Sequence, residues 1–126
     1  MVTPIDIIEP FFATKKGIRT ETDKCFRFRY DPCKRIPKKA KELDMPVIIH
    51  DRDAHEDSIK ILEEYRPKGI LHRYSGPVDI LKRAFDMGMY VSFNNDLSYP
   101  MWNAGPIACL METPWDRLLI ETDCPY

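Results

Sequence analysis

Three short apolar runs in this chain each end on a residue that binds metal ions well. Pro46-Val-Ile-Ile-His50 and Gly69-Ile-Leu-His72 end on histidines, and Arg117-Leu-Leu-Ile-Glu-Thr-Asp123 ends on an acidic pair with Asp123 last. Runs of this length and composition suit parallel strands, whose two faces are both covered. An alternating β/α barrel builds its active site from side chains delivered at the carboxyl ends of such strands. Taken singly, each residue has an ordinary reading: a strand-end histidine bonded to backbone, or an aspartate capping a helix. Three of them at three strand ends predict one cluster.

The rhythm around these runs supports parallel βαβ units. Strand-like runs fall at 47–50, 70–72, 89–93 and 118–121, and helix patterns fill the gaps. Asp53 to Arg66 places Ala54, Ser58, Ile61, Leu62 and Tyr65 on one face, with Glu56 and Asp57 in the first turn and Asp51 or Asp53 as the cap. A second helix begins at Pro77, buries Val78, Leu81, Ala84 and Phe85, and ends at Gly88. Lys38 to Leu43 predicts a short helix stopped before Pro46, and Met101 to Glu112 a weaker one interrupted by Gly105-Pro106. The fold class expected is α/β. With 126 residues the chain falls short of the roughly 250 of a complete eightfold barrel.

Charge divides the chain. Residues 15–41 hold 11 basic and three acidic side chains, a balance of +8, whereas residues 42–126 hold eight basic and 15 acidic, a balance of −7. We therefore expect an atypical N-terminal segment at 1–37, basic from residue 15, followed by a barrel domain at 38–126. Val2 to Ile8 predicts a strand with Glu9 at its end. Lys24 to Tyr30 (K-C-F-R-F-R-Y) alternates aromatic and basic residues. Its plainer reading is an edge strand with arginines outward; its functional one is a nucleic-acid surface of stacking rings and phosphate-binding arginines.

The net charge of −1 and pI near 6.3 give no global bias toward nucleic acid or membrane. No apolar run approaches the roughly 20 residues of a spanning helix, and Met1 to Phe12 lacks the order of a signal peptide. The expected location is cytoplasmic, with no membrane partner. Cys25, Cys33, Cys109 and Cys124 form no C-x-x-C pair, and free thiols are the preferred reading.

His50, His72 and Asp123 make a two-histidine, one-carboxylate set, which leaves coordination positions open for water or substrate. The cofactor expected is a divalent ion: Mg, Mn or Zn. Asp123 is a candidate ligand, a candidate base toward the attacking water, or both. His55, five residues beyond His50, reads as a surface residue or a residue behind the ligands rather than a ligand. Arg52 follows a strand end where it can hold a substrate phosphate, although loop arginines are usually just solvated, and Arg73 and Ser75 occupy the same kind of position after His72. Asn94 and Asn95 follow Phe93 and are candidate ligand contacts or ordinary loop residues. Glu121 reads as a partner behind the ligands or a strand-end charge.

These residues resemble a known family. P-V-I-I-H-D-R-D-A-H-E-D (46–57) is similar to the fifth-strand motif of the TatD-related metal-dependent deoxyribonucleases, within the amidohydrolase superfamily. G-I-L-H-R-Y-S-G (69–76) resembles their next motif, which more often has Cys-Phe in place of Arg73-Tyr74. Y-V-S-F (90–93) and R-L-L-I-E-T-D-C-P-Y (117–126) resemble the two after it. The resemblance covers roughly residues 38–126. It implies a partial TIM-like (β/α) barrel of about four to five parallel strands with flanking helices, and a hydrolase that cleaves phosphodiester bonds in DNA through a metal-activated water. It also implies His50 and His72 on one ion and Asp123 on another, with Asp123 as the catalytic proton acceptor.

The family's H-x-H pair and its G-E-I-G-L-D-like motif do not occur here. Glu9, 41 residues before His50, stands at the distance of that motif's glutamate, with unlike flanks. The alternative expectation is a truncated, non-catalytic relative that binds metal, a partner chain or nucleic acid. A small-molecule amidohydrolase is a further one. An open barrel also predicts association into a homo-oligomer to cover its edges.

Overall fold

The four apolar runs become neighbouring strands, because each is short, β-branched and bounded by turn residues. The computed structural model describes residues 8–14, 17–19, 31–99 and 104–122. Its strands are β1 (Ile8–Thr14), β2 (Gly17–Arg19), β3 (Val47–Arg52), β4 (Gly69–His72), β5 (Tyr90–Phe93) and β6 (Leu118–Ile120). They form one sheet in the order β2-β1-β3-β4-β5-β6. β1, β3, β4, β5 and β6 run parallel, and β2 turns back antiparallel on β1. The helices are α1 (Asp31–Glu42), α2 (His55–Tyr65), α3 (Val78–Asp86) and α4 (Ala104–Met111). This is the α/β, partial TIM-like arrangement that the motifs imply.

Alternation along β3 and β4 decides what each face of the sheet does. Val47, Ile49, Gly69 and Leu71 are buried, while Ile48, His50, Ile70 and His72 are only half-buried. The buried set packs with Ile59 and Leu62 of α2, Leu81 and Ala84 of α3, and Met89 and Val91 at β5 in one core. The opposite face is the one that a closed barrel turns inward, and it carries both histidines.

Several element boundaries differ from the sequence expectation. The helix expected at Lys38–Leu43 begins at Asp31 and runs through Pro37. An internal proline removes one backbone bond and costs about 3 kcal/mol; here its ring is fully buried, and α1 packs on α2 and β1. Gly105-Pro106 does not interrupt α4, because both lie in its first turn, where backbone N–H groups have no helical acceptor. α2 starts at His55 with Ala54 as its N-cap residue and no side-chain cap, so neither Asp51 nor Asp53 caps it; Asp51 instead accepts the Ala54 N–H at 3.1 Å.

α3 follows Pro77 and ends before Gly88 at φ 81°, as expected. The first strand spans Ile8–Thr14, so Glu9 sits near its start; Phe12, not Glu9, is level with His50. Residues 2–7 and the alternating 24–30 segment lie outside the described residues. Among the described residues no helix is long and apolar enough to cross a membrane.

Candidate functional site

The in-register pairing of β3 with β4 puts His50 directly beside His72. Their ring centroids are 5.6 Å apart and the planes are tilted by 48°. A metal–nitrogen bond of about 2.1 Å places an ion roughly 3.2 Å from an imidazole centroid, so two rings can share one ion only within about 6.4 Å. The pair meets that requirement. Among the described residues no group of three or more His, Cys, Asp or Glu side chains is arranged as a metal cluster. Asp123, the third expected ligand and the expected catalytic residue, lies outside the described residues.

Glu121, immediately beyond β6, braces this pair. One carboxylate oxygen stands 2.7 Å from Nδ1 of His72. The other accepts the Arg73 backbone N–H at 3.0 Å and the Ser92 hydroxyl. An ionised carboxylate only accepts, so it holds the proton of the neutral imidazole on Nδ1 and leaves Nε2 with its lone pair. This is the carboxylate–histidine arrangement that orients metal-binding imidazoles, and the donor set fits a divalent ion in that respect. The reading of Glu121 as a residue behind the ligands matches its position. Ser92 was not singled out in the sequence, although a polar residue inside the apolar run Y-V-S-F, buried at 4% exposure, requires such a partner.

A cleft of about 650 Å³ opens beside His50 and is lined by Arg52, Arg73, Ser75, Asp96 and Tyr99 among others. Asp51 lies at its base, with its side chain 5% exposed. One Asp51 oxygen accepts the Ala54 N–H just before α2, and the other sits 2.8 Å from Nδ1 of His55. That hydrogen bond raises the His55 pKa above its ordinary value against the opposing effect of burial. His55 is therefore a part-buried partner of Asp51, not a surface residue. Next to it the Tyr74 hydroxyl donates to the Pro77 carbonyl at 2.7 Å, and burial pushes its pKa upward.

Arg73 follows His72 with φ 47°. A non-glycine residue in this left-handed region costs on the order of 1 kcal/mol. The Arg73 N–H donates to Glu121 and also lies 3.2 Å from the Ser92 hydroxyl, which holds the turn. Its guanidinium reaches 2.8 Å to an Asp96 carboxylate oxygen. Asp96 belongs to a short 3-10 turn, Asn95–Ser98, whose start Asn94 caps by accepting the Asp96 N–H at 3.1 Å. Asn94 thus shapes the cleft wall. Asp96 and Tyr99 were missed in the sequence; the Asn94-Asn95-Asp96 turn signal marked their loop but not its direction. Cys109 is a buried free thiol that donates to the Gly76 carbonyl at 3.3 Å, and burial raises its pKa.

Fold and site together define a partial TIM-like barrel with a braced histidine pair at adjacent strand ends. The sequence profile described as TatD related DNase matches residues 33–126, and the chain belongs to that family. It is 42% identical over 91 residues to the uncharacterized metal-dependent hydrolase YabD of Bacillus subtilis (strain 168), covering 69% of this chain and 35% of the relative. It is 36% identical over 90 residues to the 3'-5' ssDNA/RNA exonuclease TatD of Pantoea ananatis (strain LMG 20103), with the same coverage of 69% and 35%. Among solved structures, YjjV, a TatD homolog from Escherichia coli K12, superposes with a TM-score of 0.62 at 29% identity, over 71% of this chain and 35% of that one. The chain thus spans about a third of the length of the relatives it matches.

Proposed function

We propose that this chain is a metal-dependent hydrolase of the TatD DNase type, acting on phosphodiester bonds in DNA. The observation that carries this reading is the His50–His72 pair at adjacent strand ends with Glu121 behind His72. His50, His72 and Asp123 would hold a divalent ion, Mg, Mn or Zn. When bound, the ion lowers the pKa of a coordinated water and offsets charge on a phosphoryl oxygen. Asp123, two residues beyond Glu121, is the proposed acceptor of the proton from the attacking water. Glu121 keeps the His72 Nδ1 protonated, so that the neutral ring presents Nε2. The cleft beside His50 is the proposed seat of the DNA strand.

The test is elemental analysis of the folded chain, with His50→Ala and Asp123→Ala variants, beside hydrolysis of a single-stranded oligonucleotide with added Mg or Mn. The expected result is bound divalent metal lost in both variants, and cleavage abolished by chelator. A folded chain that binds no divalent ion refutes the proposal.

A second reading, a non-catalytic relative that binds metal or a partner chain, is favoured by one feature. β6 is an edge strand among the described residues; Trp115 just before it and Ile120 within it are 91% and 87% exposed. Exposed apolar surface at a strand edge suits association with a second copy. Metal retention without turnover, together with a dimer in solution, is the outcome that selects this reading.

A further inference from the structure

Arg73 directly follows His72, and its surroundings give it a use. The backbone turn that carries it is left-handed, at φ 47°, and is held by Glu121 and Ser92, the same groups that brace His72. Whatever orients the candidate metal-binding imidazole therefore also aims residue 73. The side chain lines the cleft with His50, Arg52 and Ser75. Asp96 fixes the guanidinium there through a 2.8 Å contact, and the Arg73 side chain is 26% exposed. A merely solvated loop arginine needs neither a strained backbone nor an anchor on a second loop. Of the four non-glycine residues with positive φ among the described residues, Asp53 and Arg73 both lie on this cleft, and strained backbone clusters at ligand sites.

We propose that Arg73 is an oxyanion-binding, specificity-determining residue whose guanidinium contacts a phosphoryl oxygen of the substrate within the cleft. This deepens the hydrolase reading above and rests on it for the identity of the substrate. A guanidinium is a planar fork of five donors that matches a phosphate edge in two parallel hydrogen bonds. An oxyanion shares or exchanges the Asp96 contact. Arg52, exposed at the end of β3 on the same cleft, adds a second positive charge to the approach path. Ser75 supplies a hydroxyl on the same wall. An arginine directly after His72 thereby selects for an anionic ligand, where a cysteine cannot.

The experiment uses the whole chain in chelator, with inorganic phosphate as the probe. Phosphate affinity is measured by calorimetric titration in the parent and in each variant, and in the parent the guanidinium resonance of Arg73, assigned by its loss in Arg73→Gln, is followed by nuclear magnetic resonance over the same titration. The expected result is a saturable shift in the parent protein and a loss of phosphate affinity of about tenfold or more in Arg73→Gln, as for a charge-assisted bond. Arg73→Lys keeps the charge but not the fork and loses several-fold, while Lys60→Gln, on the exposed side of α2, changes nothing. Arg73→Lys also covers the case in which the glutamine variant fails to fold.

Equal affinity in the parent and either Arg73 variant overturns the proposal, as does a shift that never saturates. Because no metal and no turnover are involved, failure of the hydrolase reading is separable. Arg73-dependent phosphate binding without metal-dependent cleavage removes that reading alone. Cleavage whose KM is unchanged in Arg73→Gln removes the arginine proposal alone.

Discussion

Replacing Glu121 is the sharpest perturbation of this site, because a single carboxylate there makes three separate contacts. It engages His72 Nδ1 at 2.7 Å, the Arg73 N–H at 3.0 Å and the Ser92 hydroxyl, with a side chain only 21% exposed. At about 1 kcal/mol net per hydrogen bond, Glu121→Ala loses about 3 kcal/mol. For a chain of this size that lowers the melting temperature by roughly 10 °C. Glu121→Gln separates packing from chemistry. Its amide keeps the shape and one acceptor, so the stability loss falls to about 1 kcal/mol. If the NH2 turns toward His72, Nδ1 becomes the acceptor and the proton moves to Nε2, the nitrogen proposed to ligate. Metal affinity is then expected to drop about 10- to 100-fold in both variants, as when the partner behind a metal-binding histidine is removed. Urea or thermal melts give the first quantity and calorimetric titration with Mn or Zn the second. An alanine variant that melts within about 2 °C of the parent and binds metal equally well refutes the bracing role.

Two further outcomes follow from the same geometry. The raised pKa of His55 means that its stabilising contribution is fully present below about pH 6.5, the unfolded value, and is lost as pH rises through the higher folded value. Urea melts between about pH 6 and about pH 9 should show this decline flattened in His55→Gln, and an unchanged slope in the variant rules out His55 as its source. Gly69→Ala should cost more than about 2 kcal/mol, since a Cβ there would lie 2.8 Å from Val47 Cγ2 and closer still to the Val47 carbonyl oxygen, both on the adjacent strand. A melt of Gly69→Ala that matches the parent would show that β3 and β4 can separate without loss.

The strands and two of the helices were legible because their signals are local. Continuous apolar residues at 47–49 and 118–120 mark strands, although β6 leaves Leu119 and Ile120 exposed rather than covered on both faces, and Pro77 with Gly88 brackets a nine-residue helix, Val78–Asp86. α1 was read too short because Pro37 is a strong local stop signal. What outweighs it is the burial of its ring as α1 packs on α2 and β1, a contribution no window of sequence contains. The antiparallel return of β2 on β1 was equally invisible, since pairing partners are chosen by the assembled sheet.

By itself, the sequence determined which residues stand at strand ends, because periodicity and punctuation are properties of neighbours along the chain. It therefore named His50, His72 and Glu121, and it placed Arg73 just after a strand end without saying what the residue faces. Only the tertiary structure decided that His50 and His72 lie level, because register depends on which residues of β3 and β4 share hydrogen bonds. It alone brought Glu121 behind His72, Ser92 into the same carboxylate and Asp96 onto Arg73, at sequence separations of 49, 29 and 23 residues. Contacts that distant are set by how the sheet and its loops pack, and short-range pattern carries no record of them.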